Sequence, residues 1–408
     1  MFLYERGLDP YDGGIFHQVG LALWNSCEIQ DSDAEYIQAP LLLPLFSFLP
    51  SPSTFLGRIA SILLYSGLDL ASADCLFRIA SSGAAAISSS YISPRASRTW
   101  NPASIAAVYL FNPFTLLACL GRPTSSFTAF FTLLSIKHAC QAEAATSAFA
   151  LAIATYLGLH PALLLPPIGL LCYDQLCKRQ IRSGIKDQGS TSNGPHAATS
   201  KVVIDQRSLP SAIPFGLILS SAFAVALAFL LGLSRLLLPS WQFVPVVYMT
   251  PLTLPDLTPN PGLWWYFFIE MFDAFREFFL GVFWLHMLSY SVPLSIRLRK
   301  QPLAAVVLMM GILATFQPYA NIGDVGAWLS SLCLLGHIFE CKTETHPTTC
   351  DPTDGRQCAP RTATLSRRSQ PCSMLPCLDQ LSTIYGYTLD REMQISSTPS
   401  LLFGAWRC

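Results

Sequence analysis

The chain has 408 residues, 51% of them hydrophobic and 12% charged, with 25 basic and 25 acidic side chains. A charged fraction about half that of a soluble domain, a positive mean hydropathy and several apolar runs of roughly 20 residues define a polytopic membrane protein. Zero net charge removes the bulk attraction to phosphate, so no nucleic-acid partner is expected.

Met1–Gln18 lacks the apolar core of a signal peptide, and a polytopic chain opening on a polar loop implies a helix upstream. Tyr4–Gln18 has turn chemistry at Asp9-Pro10 and Asp12-Gly13-Gly14. Its acids, Glu5, Asp9 and Asp12, suit either an acidic catalytic loop or a plain solvated turn, and the turn reading is preferred. Ala39–Pro50 is apolar and broken by prolines. Thr54–Ala80 is helical but carries Arg58, Asp69, Asp74 and Arg78, so it is either interfacial or a span packed against partners. Ser81–Trp100 reads as a small-residue linker.

Pro102–Leu120 reads as a span broken at Asn112-Pro113, where freed carbonyls need partners. Phe127–Cys140 is a shorter apolar segment. Glu143–Tyr173 is apolar but interrupted at Tyr156–Pro161 and at Pro166-Pro167, and reads as two short re-entrant or bent helices, with His160 capping the break or meeting a ligand. Asp174–Leu209 is a polar, basic linker, cytosolic by the positive-inside rule. Pro210–Pro239 is the cleanest transmembrane helix and runs outward, which leaves Ser240–Gly262 on the luminal side.

Thr253–Lys300 organises the chain. Three prolines lead into Trp264-Trp265-Tyr266, and a long apolar helix then ends at Arg297, Arg299 and Lys300, cytosolic again. Glu270, Asp273 and Glu277 are spaced to line one stripe of that helix, with Arg276 at its edge and in reach of Asp273. Charges in hydrocarbon are costly, so such a stripe faces a protein interior, a water-filled cavity or a polar ligand. Pro302–Phe316 returns outward, Gln317–Asp324 is a turn in which Asp324 reads as a helix cap, and Val325–Phe339 is the last apolar segment. Of 13 cysteines, six fall in the last 70 residues without a CxxC pair or metal spacing, so no metal, cofactor or catalytic residue is assigned.

Several ordered motifs carry a family resemblance: DPYDGGIFH, APLLLPLFSFLP, YLFNPFTLLACL, TYLGLHPALLLPP, SWQFVPVVYMTPLTLPDLTPNPGLWWYFFIEMFDAFREFF and ANIGDVGAW. The chain resembles the PIG-U family, the U subunit of the glycosylphosphatidylinositol (GPI) transamidase. The resemblance implies an all-α, multispanning helical bundle like that of the lipid-linked-sugar glycosyltransferases. It implies an endoplasmic-reticulum, multi-pass protein that is not itself the enzyme. Its expected partners are the other transamidase subunits, including the protease-like catalytic one, the GPI lipid and the membrane. Contacts to the GPI lipid or to the C-terminal attachment signal are expected at Asp256, Asn260, Trp264, Glu270, Met271, Phe272, Asp273, Phe275, Arg276 and Glu277. An Asp273–Arg276 ion pair and phenylalanines serving as core are the competing reading there. A dolichol-phosphate-sugar glycosyltransferase using Asp9 or Asp12 is the alternative function, and a purely structural scaffold the third.

Two departures from the family pattern divide the sequence. Residues 19–38 separate FHQ from APLLL and resemble a translated intron, with a Val-Gly start and a terminal Gln compatible with splice signals. From residue 340 the chain turns polar, and Leu378–Arg407, back-translated and read two bases later, spells the family segment GPAFYHLW. The expected organisation is a membrane domain over 1–339, with a cytosolic linker at 174–209, and an out-of-frame, disordered tail over 340–408.

Overall fold

The structure, a computed structural model, describes residues 39–50, 54–85, 100–191, 211–238, 240–255, 257 and 259–336, with side chains to 182 in the helix that ends at Thr191. The chain separates into two units, Met1–Lys342 and Thr343–Cys408. The first loop with Glu5, Asp9 and Asp12, the segment 19–38, Asp256 and the tail 340–408 lie outside the described residues.

The described residues are all-α, and the chain is a polytopic membrane protein. Its helices are α1 (Leu42–Ser47), α2 (Phe55–Ser81), α3 (Pro102–Leu110), α4 (Pro113–Gly121), α5 (Ser125–Cys140), α6 (Ala144–Leu157) and α7 (Leu165–Thr191). There follow α8 (Ala212–Leu237), α9 (Thr250–Thr253), α10 (Trp264–Ile269), α11 (Asp273–Arg297), α12 (Pro302–Phe316) and α13 (Ile322–Leu332). Among the described residues α2, α8 and α11 are long and apolar enough to cross a membrane, and α3 with α4 makes a fourth if the bent pair is one span.

Asn112-Pro113 breaks the α3–α4 run as expected, with a 49° bend. Proline cannot donate to the helix ladder, whereas it is well placed in a first turn. Asn112 repairs the break: its Oδ1 accepts from the Phe114 N–H at 3.1 Å. Its Nδ2 donates to the Gly326 carbonyl and to Ser330 Oγ, each at 3.3 Å, which pins α13 across the bend. Small residues make that approach possible. A Cβ on Gly326 would meet Phe114 Cβ at 3.1 Å and the Thr115 amide at 3.2 Å.

The α5–α6 hairpin closes on a reciprocal pair, with Ser135 Oγ donating to the Ser147 carbonyl at 2.9 Å and Ser147 Oγ to the Ser135 carbonyl at 3.0 Å. Helix α6 ends at Gly158, and a 3₁₀ turn, His160–Leu164, leads straight into α7. Pro166 and Pro167 lie in the first turn of α7, where a missing N–H costs nothing, so they start that helix instead of breaking it. Helix α7 then continues to Thr191, into the stretch read as linker. The Asp174–Lys178 pair, 2.6 Å apart at i,i+4, supports the helix where the sequence turns polar.

Tyr156 joins three elements from within the core. It is 1% exposed, its hydroxyl meets Ser234 Oγ of α8 at 2.6 Å, and the Leu41 amide donates to it at 3.0 Å. Helices α12 and α13 pack on each other and on α7 and α4 respectively. Ser291 Oγ of α11 donates to the Leu163 carbonyl at 2.5 Å.

Candidate functional site

The stretch from Leu254 to Glu277 is not one helix. Helix α10 stops at Ile269, Phe272 is extended, and α11 begins at Asp273. The single stripe Glu270–Asp273–Glu277 is therefore corrected: Glu270 ends one helix, and Asp273 and Glu277 begin the next. An Asp in the first turn meets the positive end of the helix dipole, which favours a start there.

The Asp273–Arg276 ion pair is also corrected. Asp273 is exposed, and Arg276 Nη2 donates instead to the Leu254 carbonyl. Leu254 ends α9 in a left-handed conformation, φ 46°, and an unpaired carbonyl at a helix end is a natural acceptor for a guanidinium. Arg276 thus ties the start of α11 to the end of α9.

The other sequence-derived residues fall into two groups. Trp264 is fully buried and packs edge-on against Phe283 and Trp284, with ring centroids 5.1 and 5.8 Å away. Asn260 shapes the turn before it: its Oδ1 accepts from the Gly262 N–H at 2.8 Å, and its Nδ2 reaches the Pro318 carbonyl at 3.4 Å. These two support the site from beneath. At the surface, Met271 is half-buried, while Glu270, Phe272, Asp273, Phe275 and Glu277 are exposed. Phe272 is 80% exposed and Phe275 56%. Phe275, Phe278, Val282, Leu285, Val292 and Ile296 continue one apolar stripe along α11. Asp273 and Glu277, four apart, share the neighbouring face of the first two turns. The result is an apolar ridge with a carboxylate face at one end, suited to a ligand with both a greasy and a hydroxyl- or amine-bearing part.

A second polar feature lies inside the bundle. Two small adjoining cavities share Ala129 and Asp324. The first also takes in Asp69, Tyr109, Thr115, Ser125 and Ser126. The second takes in Thr128, Thr132, His160 and Gln317. The helix cap near Asp324 is Asn321, whose Oδ1 accepts from the Gly323 N–H at 2.9 Å, and not Asp324 as expected. Asp324 accepts from Gln317 Nε2 at 2.7 Å and faces both cavities. His160 lines the second cavity; the cap at the end of α6 is Gly158. Asp69 was visible in the sequence as a charge within an apolar helix and Asp324 as a cap in a turn, but their meeting in one cavity was not.

The family model described as "GPI transamidase subunit PIG-U" matches residues 25–349. The chain belongs to the PIG-U family. The human "GPI-anchor transamidase component PIGU" is 30% identical to it over 350 residues, covering 83% of this chain and 69% of the human protein. The "GPI transamidase component GAB1 homolog" of Schizosaccharomyces pombe is 29% identical, over 83% of this chain and 67% of that protein. The "GPI transamidase component GAB1" of Saccharomyces cerevisiae is 31% identical over 245 residues, 59% of this chain and 52% of that protein. The matched region contains every described helix, and so both the ridge of this PIG-U family member and its internal cavities.

Proposed function

We propose that this chain is a non-catalytic subunit of the GPI transamidase complex in the endoplasmic-reticulum membrane. The family match supports the assignment to the complex, through relatives named as its components. Nothing in those names favours the glycosyltransferase reading. The chain's partners are the other subunits, including the protease-like catalytic one.

Within that role the start of α11 holds the GPI lipid or the C-terminal attachment signal. The observation that carries this is the juxtaposition of exposed Phe272, Phe275 and Phe278 with exposed Asp273 and Glu277. Phenyl rings meet acyl chains or an apolar peptide without a desolvation cost. Carboxylates accept hydrogen bonds from glycan hydroxyls, amines or peptide N–H groups, but they repel phosphate. Phosphate falls to the guanidinium of Arg276, which has five N–H donors and spends one on Leu254. Glu270 extends the acidic edge of the same surface, and Met271 the apolar one.

A pull-down in mild detergent, probed for the protease-like subunit, tests the assignment: co-purification is expected. A well-expressed protein that comes down alone, and that transfers sugar until Asp9→Ala removes the activity, overturns it. Replacing Glu270 and Asp273 together by Ala is expected to reduce GPI attachment by about tenfold, the equivalent of about 1.4 kcal/mol, with unchanged protein in the membrane. Normal anchoring in that variant removes the ligand role. We also propose that residues 19–38 are a retained intron and that 340–408 are read out of frame; sequencing of the transcript across both segments tests this.

A further inference from the structure

We infer that the N-terminus of α5, with Arg122 and Tyr65 beside it, is a binding site for a phosphate group. The argument is independent of the transamidase assignment and of the α11 ridge. Arg122 leaves α4 in a left-handed conformation, φ 49°, and Pro123-Thr124 carries the chain into α5. The Arg122 Nη1 is buried without a hydrogen-bond partner, and Arg122 joins no ion pair among the described residues. The acid one turn along α2 from Tyr65, Asp69, is engaged by Cys119 and Tyr109 and not by Arg122. A guanidinium nitrogen withdrawn from water without an acceptor is costly.

Further donors gather at the same place, and none is used. Thr124 is the N-cap of α5 and 7% exposed, yet its Oγ1 caps nothing and has no partner. Tyr65 is 1% exposed, and its hydroxyl is also unpartnered. Its ring packs edge-on against Phe127 in the first turn of α5, centroids 5.8 Å apart, and lies within electrostatic reach of Arg122. Neither the Thr124 nor the Ser125 N–H makes a backbone hydrogen bond among the described residues. Helix α5 is 16 residues long and has no acid in its first turn, so its positive end is uncompensated.

This donor set selects the ligand. A phosphate presents oxygens on several sides and can accept from a guanidinium, hydroxyls and helix amides at once. A carboxylate has two oxygens in one plane and serves the guanidinium alone. An ammonium meets the like charge of Arg122. Arg122, Ser125 and Ser126 are half-buried, so the site opens outward and needs no enclosed cavity. At the other end of α5, Cys140 and Glu143 lie within electrostatic reach of Lys178 and Arg179. The positive-inside rule sets that basic end in the cytosol and Arg122 toward the lumen, where topology gives no reason for a buried cation. The phosphate can come from a lipid headgroup or from free phosphate.

The test is thermal melting of the full chain in detergent, with inorganic phosphate against chloride at equal ionic strength. Without phosphate, Arg122→Gln is expected to melt at or above the wild type, because it sheds an unpaired charge. With phosphate the wild type is expected to gain more than Arg122→Gln, whose affinity should be about tenfold weaker. The general effect of phosphate on folded proteins appears in both and cancels in the comparison. Thr124→Val and Tyr65→Phe should show smaller losses of the same gain, and Arg299→Gln, exposed at the end of α11, none. Phosphorus NMR of the same samples separates the sources. Displacement of bound phosphate by short-chain phosphatidylglycerol assigns the site to a headgroup, and retention assigns it to free phosphate. Should Arg122→Gln lose its melting transition, Thr124→Val and Tyr65→Phe decide. An equal gain from phosphate in the wild type and the folded variants overturns the inference. So does an equal gain from chloride, which marks an adventitious ion only.

Discussion

Helices α8 and α11 are long enough to cross a membrane, yet only 11% and 17% of their most apolar windows are buried within the protein. Helix α12 is 15 residues long, and 11 of those are buried. Apolar character does not separate them, because lipid is as apolar as leucine, and contact with it satisfies an exposed Phe or Val as well as the core does. Close approach separates them. Helix α12 carries Ala304, Ala305, Gly311 and Ala314 toward its neighbours, and α13 meets it with Ala327 and Trp328. Helix α11 carries Phe275, Phe278, Leu285 and Ile296 outward.

A pair of glycine substitutions breaks this contrast or confirms it, and carries the largest expected effect. A Cβ on Gly311 would lie 2.4 Å from Cε2 and Nε1 of Trp328, a rigid ring with packed surroundings. Gly311→Leu is expected to destabilise by about 3 kcal/mol or more, seen as loss of a sharp melting transition in detergent. Gly281 on α11 has nothing within 4 Å of its Cβ position. Gly281→Ala is expected to be neutral, or to stabilise by up to about 1 kcal/mol through helix propensity. Equal losses at both positions would mean that α11 is covered after all.

Polar ties mark the interior next. Tyr156→Phe removes the bonds to Ser234 and to the Leu41 amide, and leaves a buried N–H without its acceptor. A loss of about 1–3 kcal/mol is expected. Asn112→Ala removes the α4 cap and both bonds to α13, with a loss of about 1–2 kcal/mol. Chemical unfolding of each variant in the same detergent gives the values. Ser220→Ala on α8, whose Oγ bonds only to its own helix at Leu217, is the matched exposed control, and a change within about 0.5 kcal/mol is expected.

What was legible in the sequence follows the same division. The Asn112 break was legible because Asn-Pro is a local backbone rule. The α10–α11 break was not: Glu270-Met271-Phe272 contains neither Gly nor Pro, and the contacts that flank the break, Arg276 to the Leu254 carbonyl and the aromatic cluster about Trp264, are tertiary. Asp69 was legible as a charge within an apolar helix, and Asp324 was read as a cap; their shared cavity depends on α13 crossing the α3–α4 bend, which is tertiary. The helical course of α7 through Pro166-Pro167 was missed because the prolines were read as breakers, when their position in the first turn makes them starters.

The smallest expected effect sits at the rim of the core, at the α5–α6 turn, and it is read by pH. Glu143 Oε2 lies 2.8 Å from His138 Nδ1 and also accepts from Thr146 Oγ1 at 3.2 Å. The bond to His138, ahead of that to Thr146, holds the Glu143 carboxyl below its ordinary value. A carboxyl whose folded pKa is depressed adds stability above its unfolded pKa. It loses that stability as pH falls through the usual carboxylate range toward the lowered folded value. Melting temperatures of wild type and Glu143→Gln should therefore differ slightly at neutral pH and converge at pH values below about 4. Half-exposed pairs are screened by solvent, so the difference should also shrink with added salt. A gap that persists unchanged in acid would show that the difference between the two proteins does not arise from the Glu143 charge.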